Sequence, residues 1–270
     1  MKRAGKKEPE PKEQPAGILR AIAKANEVLA AADVREPDDI HVTRIAAQLG
    51  ARVVYSRIAM ADAAAVSAGR KGWILIDEQW RGTYRARWSI AHELGHYLLH
   101  EDADAIARIH GGGPLLRSDF RFEREANAFA AQFTMPDFLY APRCQIERPT
   151  LDDVRELGET FGVSLQAAGR RYARVTQSAC AFVEIDPSGH VYHPERSTTF
   201  RGVAVKDRVV EESTIAGAIL RGEAVRGGGR VGSGAWGSGK LRVEMTEHAE
   251  VVPESSVVVS LLWHPSSAVR

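Results

Sequence analysis

The run RARWSIAHELGHYLLHED, at residues 85–102, places His92, Glu93 and His96 within one short segment. Residues four apart lie on one face of an α-helix, so the two imidazoles can reach a single metal ion. Glu93 lies beside that face, where its carboxylate can act on a water molecule rather than bind the metal. The H-E-x-x-H pattern is typical of zinc-dependent hydrolases, but a catalytic zinc needs a third protein ligand.

A second run, FEREANAFAAQF at residues 122–133, is expected to supply that ligand. Its apolar positions define the inward face of a helix: Phe122, Ala126, Phe129 and Phe133. Glu125 lies on this face, whereas Glu123 is rotated off it. A carboxylate that faces a core is costly unless it is paired or binds a metal. We therefore predict Glu125 as the third ligand, with a buried salt bridge to an arginine as the alternative.

Three further polar residues are candidates for stabilising the transition state or contacting the ligands: Tyr97, His100 and His110. His100 continues the four-residue spacing but lies about 12 Å along the helix axis from His92. This is too far for one ion with bonds of about 2 Å, so His100 is not expected to bind the same metal. An ordinary polar residue at the helix end is its simplest interpretation.

The spacing of apolar residues predicts an α+β fold around these groups. Long helices are expected at residues 17–33, 84–100 and 122–136, and strands at 51–58 and 72–77. The strand at 72–77 either lies inside its sheet or offers a free edge to an extended substrate. After residue 176 the pattern becomes β-rich, beginning with a hairpin whose turn is at 187–189.

Residues 150–174 are predicted to form two short helices with helix-turn-helix spacing. Thr150 and Asp153 can form a capping box for the first helix, which ends at Gly162, and Ser164 can cap the second. DNA binding is therefore an alternative function, supported by local positive charge at Arg170, Arg171 and Arg174. The near-neutral charge of the whole chain argues against it.

Composition favours an ordinary globular protein of 270 residues with a net charge of +1. There is no long apolar run and no signal-like start, and the two cysteines do not form a C-x-x-C pair. We expect a cytoplasmic protein without a membrane partner.

The motifs RWSIAHELGHYLLH and EREANAFAAQFTMP, in this order, resemble the ImmA/IrrE family of zinc metallopeptidases over residues 20–140. The resemblance implies a zincin-like domain in which His92, His96 and Glu125 bind zinc and Glu93 is the catalytic base. Manganese or iron also suits two nitrogens and one oxygen, although zinc is favoured. The chain departs from the family pattern before Met-Pro, where Gln132, Phe133 and Thr134 replace a leucine pair.

The resemblance also implies a function and a layout. Family members are typically intracellular endopeptidases that cleave a helix-turn-helix repressor and so derepress stress-response genes, including DNA-damage responses. The alternative is a non-enzymatic regulator that binds DNA or protein and has a structural metal. The implied layout is a disordered tail at residues 1–16, a metallopeptidase domain at 17–140, a helix-turn-helix-like segment at 141–175 and a GAF-like domain at 176–270.

Two other motifs carry little weight. GAWGSGKL, at residues 234–241, imitates a phosphate-binding loop, but Leu241 stands where a hydroxyl should bind magnesium and a strand follows. HGGG at residues 110–113 is similar to an esterase oxyanion loop, but the sequence has no G-x-S-x-G nucleophile motif.

Overall fold

The computed structural model describes residues 16–57, 63–68, 71–100, 119–200, 209–225, 227–236, 244–253 and 255–265. The tail before residue 16, the HGGG motif with His110, and Leu241 lie outside these ranges. The chain divides into two compact units. The first contains Met1–Val34, His41–Arg81 and Trp88–Phe133, and the second contains Arg35–Ile40, Gly82–Arg87 and Thr134–Arg270. The predicted layout of tail, peptidase domain, helical segment and C-terminal domain stays a prediction.

Helices and one small sheet build the first unit. The helices are α1 (Ala16–Ala31), α2 (Val42–Gln48), α3 (Tyr84–Leu99, within this unit from Trp88) and α4 (Asp119–Thr134). The strands are β1 (Ala51–Ser56), β2 (Ala63–Ala68) and β3 (Lys71–Asp77). The predicted helices and the strands at 51–58 and 72–77 are therefore confirmed.

Strand β3 is the middle strand of the sheet, which has the order β1-β3-β2. It runs parallel to β1 and antiparallel to β2. Ile74 and Ile76 are buried, Leu75 between them is partly exposed, and Trp73 before them is 37% exposed, the alternation expected of a strand with one covered face. The suggestion that residues 72–77 form a free edge is therefore wrong, because both edges of β3 are paired.

Helices α3 and α4 pack closely because Gly95 has no side chain. A Cβ atom at Gly95 would lie 3.2 Å from the Cα atom of Ala126 and 3.2 Å from Phe129. Leu94, Ala126 and Phe129 are fully buried along this contact. The close approach brings the polar residues of the two helices within reach of each other.

The second unit begins with three helices, α5 (Asp137–Arg143), α6 (Leu151–Phe161) and α7 (Leu165–Val175). The predicted caps are confirmed. Thr150 and Asp153 form a capping box, and Ser164 accepts a hydrogen bond from the first turn of α7. Gly162 ends α6 with φ of 62°, a left-handed conformation that costs glycine little.

The rest of the second unit contains an antiparallel five-stranded sheet with the order β5-β4-β8-β7-β6. Its strands are β4 (Cys180–Ile185), β5 (Val191–Arg196), β6 (Gly228–Gly232), β7 (Glu244–Val252) and β8 (Val257–Trp263), with helices α8 (Ile215–Leu220) and α9 (Ser233–Trp236). The predicted hairpin is confirmed, since β4 and β5 pair across residues 186–190. Within the described part of the chain, no helix is both long and apolar enough to span a bilayer.

Candidate metal centre

Helix α3 presents His92 and His96 one turn apart, and their Nε2 atoms lie 3.1 Å from each other. His96 is fully buried, whereas His92 lies partly exposed at the edge of the cluster. The ring planes are nearly perpendicular, with centroids 4.7 Å apart. The two Nε2 atoms can therefore face one common point.

The third donor beside this pair is Glu123 of α4. Its carboxylate oxygens lie 3.2 Å from His96 Nε2 and 3.4 Å from His92 Nε2. The Glu123 side chain is 32% exposed, so the cluster opens towards solvent on this side. Among the residues that the structure describes, these three form the group whose donor atoms could share one metal ion.

The structure does not bring Glu125 to the two imidazoles, and Glu123 replaces it as the candidate third ligand. Residues two apart on a helix are rotated by about 200°, so Glu123 and Glu125 cannot face the same neighbour. Glu125 is 3% exposed, as its inward position predicts. Its Oε2 atom lies 2.8 Å from Arg20 Nη2, which matches the predicted salt bridge to an arginine, although only the carboxylate is buried and the Arg20 side chain is 60% exposed.

The spacing of the three donors fits a zinc ion. Zinc–ligand bonds of about 2.0–2.1 Å in tetrahedral geometry place neighbouring ligand atoms about 3.3–3.4 Å apart. His92 Nε2 and His96 Nε2 lie 3.1 Å apart, His96 Nε2 lies 3.2 Å from Glu123 Oε1, and His92 Nε2 lies 3.4 Å from the other oxygen, Oε2. One donor atom from each residue lies within 4.8 Å of the other two. Three protein ligands of this type leave a fourth position for water or substrate, as in catalytic rather than structural zinc sites.

The remaining ring nitrogens of both histidines have partners that suit metal binding. His92 Nδ1 lies 3.1 Å from Asn127 Oδ1, which can only accept a hydrogen bond. His92 Nδ1 therefore carries the proton, and Nε2 is left with a lone pair directed at the cluster. Asn127 was missed in the sequence, although its position one turn after Glu123 places both residues on the same side of α4.

Electrostatics keep Glu123 ionised. Partial burial alone would raise the pKa of Glu123, but the adjacent imidazoles of His92 and His96 outweigh it and hold that pKa well below its usual range. His100 has the opposite environment, since burial and the neighbouring His96 lower the pKa of His100 to about 4, against the pull of Glu125. At neutral pH the Glu123 carboxylate is charged, which is the form that binds a metal, and His100 is neutral.

The other predicted residues lie at different distances from the cluster. Glu93, the candidate base, is 2% exposed on α3 between the two histidines. His100 contacts the cluster directly, with its Nδ1 atom 3.0 Å from His96 Nδ1. The ring of Tyr97 lies against Gly72 of β3, where a Cβ atom would be 2.6 Å from it.

In the second unit, the three arginines that suggested DNA binding are paired with acidic residues. Arg170 lies 3.1 Å from Glu184, and Arg174 pairs with Glu195. Arg171 donates hydrogen bonds to Asp137 and to the backbone carbonyl of Met135. Their positive charge is largely compensated within the unit, which weakens the electrostatic case for a phosphate backbone as partner.

A known family matches the part of the chain that contains α3 and α4, the two helices of the cluster. The family model of the IrrE N-terminal-like domain, Peptidase_M78, matches residues 46–172 and confirms the resemblance predicted from the two motifs. A solved structure of a Mycobacterium tuberculosis transcriptional regulator has a similar fold, with a TM-score of 0.61 and 15% identity. The match covers 92% of this chain and 89% of that one. No curated protein matches the chain significantly.

Proposed function

We propose that this chain, in which residues 46–172 form an IrrE N-terminal-like domain of the Peptidase_M78 family, is a zinc-dependent endopeptidase. The observation that carries the proposal is the convergence of His92, His96 and Glu123, whose donor atoms lie within 4.8 Å of one another and could hold one metal ion. Glu93, between the two histidines on the same helix, completes the set of groups needed for peptide hydrolysis.

In the proposed mechanism, zinc bound at this site would polarise the scissile carbonyl and make water more acidic. Glu93 accepts the proton of the attacking water and then returns it to the nitrogen of the leaving amine. Glu93 is 2% exposed, so the protein rather than bulk solvent surrounds its carboxylate. His92 and Glu123, at the partly exposed side, border the space in which a substrate segment would lie.

The substrate we propose is a helix-turn-helix repressor whose cleavage derepresses stress-response genes in the cytoplasm. Support comes from the family resemblance, and the similar fold of a protein described as a transcriptional regulator agrees with a regulatory setting. Manganese is the alternative resident ion, because its preferred oxygen and nitrogen donors are also present. A GAF-like role in ligand sensing is proposed for the C-terminal sheet on the same resemblance.

The direct test compares the wild type with Glu93→Gln, using the full chain, its measured zinc content and a candidate repressor encoded beside its gene. We expect zinc content to be unchanged and cleavage to fall by at least about 100-fold, because general base catalysis contributes that much or more. Glu27→Gln, at an exposed position on α1, is the matched control and should cleave normally. Cleavage at the wild-type rate by Glu93→Gln would refute the mechanism.

The alternative function is a non-enzymatic regulator with a structural metal. It would be favoured by repressor or DNA binding that survives Glu93→Gln, together with no cleavage at any zinc concentration. The pairing of Arg170, Arg171 and Arg174 favours the peptidase over direct DNA binding, because those arginines already have acidic or carbonyl partners.

A further inference from the structure

Beyond the three donors, a line of polar contacts leads from the cluster to the first helix of the chain. His96 Nδ1 lies 3.0 Å from His100 Nδ1, and His100 Nε2 lies 3.3 Å from Glu125 Oε2. The same oxygen of Glu125 accepts a hydrogen bond of 2.8 Å from Arg20 of α1. His96, His100 and Glu125 are all at least 95% buried, whereas the Arg20 side chain is 60% exposed, so the line of contacts runs from the buried cluster to the surface.

We infer that His100 and Glu125 are positioning residues that fix the His96 tautomer and orientation required for metal binding. The inference rests on the proposed ligand set, in which His96 binds through Nε2. It assigns Glu125 to a supporting role instead of direct ligation.

The direction of each hydrogen bond in this line of contacts follows from Arg20 and Glu125, which lie at the end away from the cluster. Arginine has only donors and an ionised carboxylate has only acceptors, so Glu125 Oε2 must accept from both Arg20 and His100. His100 therefore carries its proton on Nε2, and its Nδ1 atom can only accept. His96 must then carry its proton on Nδ1 and leave the Nε2 lone pair facing His92 and Glu123.

The carboxylate of Glu125 is fixed from more than one side. Arg121, one turn earlier on α4, has its Nε atom 3.8 Å from Glu125 Oε1. The backbone of α1 also passes close to this carboxylate. A Cβ atom at Gly17 would lie 2.1 Å from Glu125 Oε1. An ion pair alone would explain the contact with Arg20, but it does not require the same oxygen, Oε2, to contact a histidine that touches a proposed metal ligand.

Glu125→Gln separates these two explanations because it keeps the volume and removes the charge. A glutamine amide can present its NH2 group to His100, which reverses the donor order and favours the His96 tautomer protonated on Nε2. Zinc affinity of the full-length variant, measured by competition with a chelator, should fall by about 10- to 100-fold. His100→Leu should lower it by a similar factor, while His100→Gln, which retains an acceptor, should recover part of it.

Two matched controls and a direct reading of the tautomer complete the experiment. Glu27→Gln and His41→Gln replace exposed residues of the same types and should bind zinc as the wild type does. Imidazole 15N shifts of the zinc-loaded protein should show His96 protonated on Nδ1 and bound through Nε2, and Glu125→Gln should lower the fraction of His96 in that state. Circular dichroism shows whether each variant is folded. If His100→Leu does not fold, Glu125→Gln alone tests the inference.

The outcomes distinguish this inference from the proposed function. Unchanged zinc affinity and His96 shifts in folded Glu125→Gln and His100→Leu would overturn the positioning role and leave the peptidase proposal intact. Complete loss of zinc in Glu125→Gln with normal binding in Glu123→Gln would also overturn it, because Glu125 would then be a ligand. The predicted shifts in a protein that cleaves nothing would support the positioning role while the peptidase proposal fails.

Discussion

Two glutamates, one in each unit of this chain, have different surroundings. In the second unit, Glu247 is fully buried and accepts four hydrogen bonds of 2.9–3.0 Å, from Ser260, the Trp236 indole and the backbone of Ile215 and Ala216. In the first unit, Glu123 instead faces two imidazole nitrogens at the spacing of metal ligands. The identity and spacing of its partners distinguish a structural carboxylate from a candidate ligand.

The largest effect should follow from substituting the candidate ligand. Glu123→Gln removes the anionic donor, and we expect zinc affinity to fall by more than about 100-fold, beyond the effect of a supporting residue. Equilibrium competition with a chelator measures the loss. The metal-free variant should still show the wild-type circular dichroism spectrum. If Glu123→Gln bound zinc with wild-type affinity, Glu123 would not be a metal ligand.

A different response is expected from Glu247→Leu. It leaves four buried donors without their acceptor, so the free energy of unfolding should fall by about 3–5 kcal/mol. Urea denaturation followed by tryptophan fluorescence measures the change. Zinc affinity of the folded variant should equal that of the wild type, and a loss of zinc without a loss of stability would reverse the roles assigned to Glu247 and Glu123.

The smallest effect is expected at the surface ion pair of Arg174 with Glu195. The Arg174 side chain is 53% exposed, so Arg174→Gln should change the free energy of unfolding by less than about 1 kcal/mol. Zinc binding and cleavage should be unaffected. A large loss of affinity for operator DNA in Arg174→Gln would instead support the alternative function, a regulator that acts by binding DNA.

Local patterns in the sequence were sufficient for most of the elements around the site. Apolar spacing predicted α1, α3 and α4, and the Thr150–Asp153 capping box marked the start of α6. The H-E-x-x-H spacing correctly placed His92 and His96 with their Nε2 atoms together, because i, i+4 geometry is a property of the helix alone.

The choice between Glu123 and Glu125 depended on tertiary contacts that the sequence does not display. Inward spacing correctly predicted that Glu125 is buried, but burial alone did not identify its partner. The Glu125 carboxylate contacts Arg20 of α1 and His100. The contact with Arg20 depends on where α1 packs. Glu123 was not predicted because it lies at the edge of the buried face of α4, where its 32% exposure resembles that of a surface residue.

The central claim is that one metal ion is bound by His92, His96 and Glu123. A crystal structure of the zinc-loaded full chain, with the ion located by anomalous scattering at the zinc edge, tests it most directly. We predict a single strong site with both Nε2 atoms and a Glu123 oxygen at about 2.0–2.2 Å, and with Glu125 still bound to His100 and Arg20. A zinc ion bound to Glu125, or located away from His92 and His96, would contradict the account.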